Sequence, residues 1–204
     1  IGLQETDNLL LQTIGRIHTY EEFLETYKLA KEAGFQNINV DLMIGLPGQT
    51  LENIKKSVSN IIALNPEHVS VYSLILEEGT PLNSKIEKGE LTLPEEELER
   101  MEYWYVKNKL ELAGYKHYEI SNFAKPKKES KHNTSCWKQE EYLGIGLAAH
   151  SYIDGVRFSN IENLEEYLQN AKQKQWEKNK IIQEMQTIED KQKEYMLLGL
   201  RMLK

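Results

Sequence analysis

Four short stretches hold the residues able to do chemistry. In DLMIGLPGQT, residues 41–50, a carboxylate, Asp41, stands among apolar neighbours. Burying it costs free energy unless something pairs with it. Ligands of parallel sheets gather at the carboxyl ends of the strands. Asp41 falls within two residues of the expected strand end, where it can accept hydrogen bonds from a ribose or another polyol. A structurally paired Asp beside an ordinary turn is the alternative. Gly45 and Gly48 flank Pro47, so backbone there can approach a ligand closely. In IGLQETDNLLLQTIGR, Gln4 closes a strand and Arg16 follows twelve residues later. A guanidinium can clamp a carboxylate bidentately, or simply stand in water. In HVSVYSLILEEGT, residues 68–80, alternation puts Ser70, Tyr72 and Leu74 on one face and Val69, Val71 and Ser73 on the other. Ile75 lies near that strand's end, where a flat ring could rest on it; the remainder also reads as plain core.

HNTSCW, residues 132–137, holds His132, the only cysteine (Cys136) and Trp137, and His150 follows eighteen residues after His132. Imidazole or thiolate can ligate haem iron, and Trp137 or Tyr142 can pack on a porphyrin face. Gly144 and Gly146 would let a loop come close. As a zinc site the spacing is wrong and the ligands too few. A lone histidine in a loop otherwise serves as a hydrogen-bonding residue.

These residues need elements to position them. Residues 19–33 carry apolar positions near helical spacing, with Thr19 and Glu22 forming a capping box and Gly34 closing the helix. NINVDLMIGLP predicts a buried strand over 37–43, and a second helix spans 50–64 from an N-cap at Thr50. A second strand follows over 68–76. Strand end, helix, strand, helix, strand is the rhythm of parallel βα units. Beyond it, GTPLNSKIEKGELTLP is polar and turn-rich. A long helix is expected over 94–112, with Pro94 at its start and Gly114 at its stop. YKHYEI is a short strand and residues 121–135 read as loop. A hairpin turns at Asp154-Gly155, and two more helices follow. A boundary near 80–93 divides an α/β part from an α+β part.

Composition narrows the function classes. The net charge of −7 argues against nucleic acid or an anionic membrane as main partner. No apolar run is long enough to span a bilayer, and no signal-peptide pattern appears. One cysteine excludes an internal disulfide, fits a reducing compartment, and cannot hold an iron–sulfur cluster alone. The first residues read as the tail of a strand begun upstream, and EYMLLGLRMLK ends inside a helical pattern. Both ends read as cuts through a longer protein.

Taken in order, IGLQETDNLLLQTIGRIHTYEEF, NVDLMIGLPGQT, VSVYSLILEEGT and HNTSCW with YLGIGLAAHSY resemble one family. They are similar to the radical-SAM, oxygen-independent coproporphyrinogen III oxidase-like proteins, and HNTSCW and LAAHSY point to the HemW haem-chaperone branch. The resemblance implies the second half of a partial (β/α) barrel over residues 1–80. The family's C-terminal domain would fill 81–204, truncated at its end. It implies that Gln4 and Asp41 hydrogen-bond the ribose of S-adenosylmethionine, and that Arg16 holds its methionyl carboxylate. Met43 and the backbone near Ile75 would border the adenine, and His132 and His150 would belong to a haem-handling surface. The whole protein would carry S-adenosylmethionine and a [4Fe–4S] cluster, work in the cytoplasm, and pass haem to acceptor haemoproteins. The alternatives are the oxidase of porphyrin biosynthesis, or a binding module that has lost cofactor function. The family's CxxxCxxC loop and its glycine-rich stretch are absent here, so this chain by itself is expected to bind no cluster and to run no radical chemistry. The family's HNxxYW pattern reads HNxxCW, with Cys136 at the tyrosine position. A cut barrel edge near residues 1–4 implies pairing with a second copy.

Overall fold

A computed structural model describes residues 1–203, which form two compact units, Ile1–Glu129 together with Leu203, and Ser130–Met202. The first begins with β1 (Gly2–Gln4), α1 (Asn8–Thr13), α2 (Tyr20–Glu32), β2 (Asn39–Ile44), α3 (Leu51–Leu64) and β3 (His68–Ser73). It continues with α4 (Pro81–Glu87), α5 (Glu96–Leu112), β4 (Lys116–Glu119) and β5 (Asn122–Ala124). The strands form one sheet in the order β1-β2-β3-β5-β4, parallel from β1 to β3 and antiparallel from β3 to β4. The α5–β4–β5 segment thus extends the parallel sheet, and the compact division falls at 129/130, later than the change of rhythm near 80–93.

Helices α2 and α3 form where the sequence signals them. Thr19 accepts from the Glu22 amide while Glu22 answers the Thr19 amide; Thr50 and Asn53 do the same for α3. Leu3, Val40, Leu42, Ile44, Val69, Val71 and Phe123 turn one sheet face into the core, against Phe23 and Tyr27 of α2, Ile54, Val58 and Ile61 of α3, and Val106 and Leu110 of α5. Strand β2 alternates half-buried and buried residues along its length, as a sheet with two unlike faces requires.

Two elements of this unit stand in stretches read as turn or loop. Helix α4 starts at a Thr80 cap with Pro81 in its first turn. Strand β5 exists because its three residues pair with β3 on one side and β4 on the other, a stabilisation that polar composition does not show.

The second unit holds α6 (Lys131–Trp137), β6 (His150–Ile153), β7 (Val156–Asn160), α7 (Leu164–Lys172), a 3-10 turn (Trp176–Asn179), β8 (Lys180–Met185) and α8 (Ile188–Gly199). Its sheet, β6-β7-β8, is antiparallel throughout. The expected hairpin turns at Asp154 and Gly155, both with positive φ, 53° and 76°. HNTSCW is helix and not loop, because the Ser130 hydroxyl caps it by accepting from the Asn133 amide. Strand β8 was not legible from KIIQEM, all six of whose residues are exposed. Helix α8 ends at Gly199, capped by Leu200, short of where the pattern in EYMLLGLRMLK would carry it.

Candidate functional site

The face of the first sheet opposite the core is polar. In-register pairing sets Asn39 beside His68, Asp41 beside Gly2 and Ser70, and Met43 beside Tyr72. Asp41 and Met43 are half-buried, and Asp41 lies mid-strand, three residues before the end of β2. The Asn39 amide nitrogen donates to Asp41 Oδ1 at 2.6 Å. No other hydrogen-bond partner of Asp41's side chain exists among the described residues. Gln4 ends β1 in a left-handed conformation, φ 66°. That geometry is uncommon outside glycine and is concentrated at functional sites. Its side chain lies over Gly2: a Cβ there would come within 2.8 Å of Gln4 Nε2. Gly2 pairs with Asp41, so the Gln4 amide and the Asp41 carboxylate are neighbours on one face, and the Gln4 amide has no side-chain hydrogen bond among the described residues.

The turns at the carboxyl end of the parallel strands are held from below. Glu5 is fully buried, and its carboxylate accepts from the Thr6 amide at 2.7 Å, the Gln49 side chain at 2.6 Å and the Ser57 hydroxyl. Gln49 also donates to the Met43 carbonyl and accepts from the Leu46 amide. Gly45, at φ 73°, donates its amide to buried Glu102 of α5 at 3.0 Å. The other Glu102 oxygen is buried without a hydrogen-bond partner among the described residues, and burial pushes this carboxyl up from its ordinary range. The GLPGQT glycines therefore serve a turn braced by Glu5, Gln49 and Glu102. Neither Glu5 nor Glu102 stood out in the sequence, where each is one carboxylate among many.

Arg16 and Ile75 share one cleft. Both line a cleft of about 430 Å³, with Thr80, Leu82 and Lys85, between the end of α1 and the segment after β3. Ile75 is 81% exposed there, beyond the end of β3 at Ser73.

In the second unit His132 lies on α6, exposed, one turn from Cys136, whose sulfur is 4.0 Å from His132 Nε2. His150 opens β6, also exposed. The Arg201 guanidinium sits over the Trp137 ring at 4.2 Å, so the chain itself covers one face of that indole. Gly144 is required by its own chain: a Cβ would collide with the His150 backbone carbonyl. The glycines around residue 145 therefore serve packing against β6 first. Among the described residues no group of three or more His, Cys, Asp or Glu could hold a metal ion.

Comparison with known proteins decides the family. A model of the Radical SAM superfamily matches residues 1–61. Proteins named haem chaperone HemW, from Bacillus subtilis and Lactococcus lactis, are 42% and 40% identical over 98% of this chain. Residues 1–61 thus carry the radical SAM pattern, and the chain is a homologue of HemW over nearly its whole length. It spans about half the length, 52%, of those two relatives. The structure of coproporphyrinogen III oxidase (HemN) from Escherichia coli, described as a radical SAM enzyme, aligns with a TM-score of 0.77 over 98% of this chain and 48% of that one, at 20% identity, a likeness of fold alone. The mixed α/β architecture, a parallel sheet plus an antiparallel one, is thus shared with part of a radical SAM structure.

Superfamily membership implies S-adenosylmethionine and a [4Fe–4S] cluster in the HemW relatives. The open Gln4 amide and Asp41 oxygen fit a ribose diol. A single cysteine does not fit a cluster, which needs several thiolates. No helix among the described residues is long and apolar enough to cross a membrane.

Proposed function

We propose that this chain is the nucleoside-binding and haem-handling part of a radical-SAM haem chaperone, which binds haem and delivers it to haemoproteins in the cytoplasm. The observation that carries the reading is the pair of unsatisfied hydrogen-bonding groups, the amide of buried Gln4 and an oxygen of half-buried Asp41, side by side in a HemW homologue. Gln4 and Asp41 hold the ribose of S-adenosylmethionine, Arg16 its carboxylate across the cleft it shares with Ile75, and Met43 and Ile75 border the adenine. Residues 1–80 are the later part of a partial barrel and 81–204 the family's C-terminal domain. S-adenosylmethionine supplies one-electron chemistry only beside a cluster, so the residues present bind and orient it and carry no redox step. His132 and His150 stand exposed on the second unit, open to haem iron. Strand β1 is an edge of its sheet, and pairing with a second copy through it would appear as a concentration-dependent dimer in sedimentation velocity.

A haem titration followed by Soret absorbance tests the chaperone reading, with His132→Ala and His150→Ala beside the unmodified chain. Saturable binding that His132→Ala abolishes is expected. Absence of saturable binding in a chain whose circular dichroism shows it folded would overturn haem handling by this part. Formation of vinyl porphyrin from coproporphyrinogen III by the longer protein would establish the oxidase instead.

A further inference from the structure

Behind Asp41 runs a line of polar groups that the proposed ribose contact does not use. Asn39 faces Asp41 through its amide nitrogen, at 2.6 Å. The Asn39 oxygen meets His68 Nδ1 at 2.6 Å and the Ser70 hydroxyl at 3.1 Å. His68 Nε2 meets the Tyr118 hydroxyl at 2.8 Å. His68 and Tyr118 are 4% and 1% exposed.

The proton positions in this line follow from Asp41. The Asn39 NH2 donates to Asp41, so the Asn39 oxygen must face His68. That oxygen has no proton, so His68 Nδ1 carries one and donates. His68 Nε2 is then bare and accepts from the Tyr118 O–H. Flipping the amide would set oxygen against oxygen at Asp41, so that contact fixes the orientation. Burial holds His68 low, at about 4, against the opposite pull of Asp41 and Glu129, which keeps the ring neutral at pH 7.

We propose that Asn39, His68 and Tyr118 are positioning residues that commit Asp41 Oδ1 and leave Oδ2 aimed at a ribose hydroxyl. The proposal rests on the nucleoside reading of this face. Its consequence is specific. A carboxylate free to rotate would offer either oxygen and distinguish a diol poorly, whereas one held by a buried, fully matched line presents one oxygen in one direction.

Two measurements on this chain test it. Long-range 1H–15N correlation at pH 7 reads the tautomer of His68, and Nδ1–H with a bare Nε2 is expected; the Nε2–H tautomer or a charged ring overturns the line. Calorimetric titration with adenosine and with 2′,3′-dideoxyadenosine reads the preference for the diol, which a purely structural role would not move. His68→Leu and Asn39→Ala are expected to reduce that preference about tenfold, the effect of a lost charge-assisted hydrogen bond. His68→Gln, which keeps a donor at one end and an acceptor at the other, is expected to preserve it. A preference unchanged in folded His68→Leu and Asn39→Ala overturns the positioning role. If the unmodified chain shows no preference, the nucleoside reading fails and the proposal with it. The tautomer measurement then still separates a correct polar line from a wrong ligand.

Discussion

Asp41 and Glu102 show how two carboxyls of one unit meet unlike surroundings. Asp41 is half-buried, accepts from one amide and keeps one oxygen without a hydrogen-bond partner among the described residues. Glu102 is fully buried, has the single Gly45 amide for company, and is shifted up chiefly by desolvation, with Glu99 and Glu5 adding repulsion. The sign of its effect on stability follows from linkage. The unfolded chain releases this proton near the ordinary 4.5, while the folded chain keeps it to higher pH. Stability from this residue is therefore full below pH 4.5 and lost as pH rises through the folded value. Glu102→Gln keeps the acceptor for Gly45 and cannot ionise. It is expected to raise the melting temperature more at pH 7 than at pH 4, and an equal shift at both would show that Glu102 is ionised in the fold. Neither carboxyl's surroundings were legible from sequence. The apolar neighbours of Asp41 pointed to burial, but the strand pairing turned its side chain to the polar face.

At the scale of elements, caps and turns behaved as local chemistry dictates. The Thr19–Glu22 and Thr50–Asn53 boxes close on their own helices within four residues, so the sequence carries all they need. Thr50→Ala is expected to cost about 1 kcal/mol of stability, measured by urea denaturation of the chain. β5 and β8 were missed because each exists through pairing with strands distant in sequence. The YLGIG segment carries a sharper test. Gly144 abuts the His150 backbone, whereas Gly146, at φ 107°, has open space around it. Gly144→Ala is expected to broaden or shift the amide resonances of β6, including that of Ser151, whose hydroxyl accepts from the Gly144 amide at 2.9 Å. Gly146→Ala is expected to act through backbone strain alone, with a smaller perturbation of β6. Equal effects would mean that the close approach at His150 is absent in solution.

At the scale of the molecule, the two units differ in how much they bury. Nearly every buried apolar residue belongs to Ile1–Glu129; within Ser130–Met202 only Tyr152 and Ile161 are buried hydrophobics among the described residues. The second unit relies more on polar ties, such as Arg157, which bridges Glu184 of β8 and Glu194 of α8 at 2.6 Å each. Exposed ion pairs contribute little by comparison with apolar burial. Amide hydrogen exchange is therefore expected to be slowest in β2, β3 and α3 and faster throughout β6–β8. Protection of β8 equal to that of β2 would contradict this ranking.

The sequence by itself determined what is local or periodic: the helix caps, the βα rhythm of the first eighty residues, the Asp154-Gly155 turn and the ordered motifs that mark the family. These depend on residues within a few positions of one another, whose spacing the chain states directly. Tertiary structure decided what depends on distance. It chose which face of β2 is polar, placed Gln4 over Gly2 beside Asp41, brought Glu102 from α5 beneath Gly45, and linked Asn39 to Tyr118 through His68. A side chain's charge and proton are set by its neighbours' dipoles and by loss of water. Those neighbours come from strands and helices tens of residues away, and only folding brings them into contact.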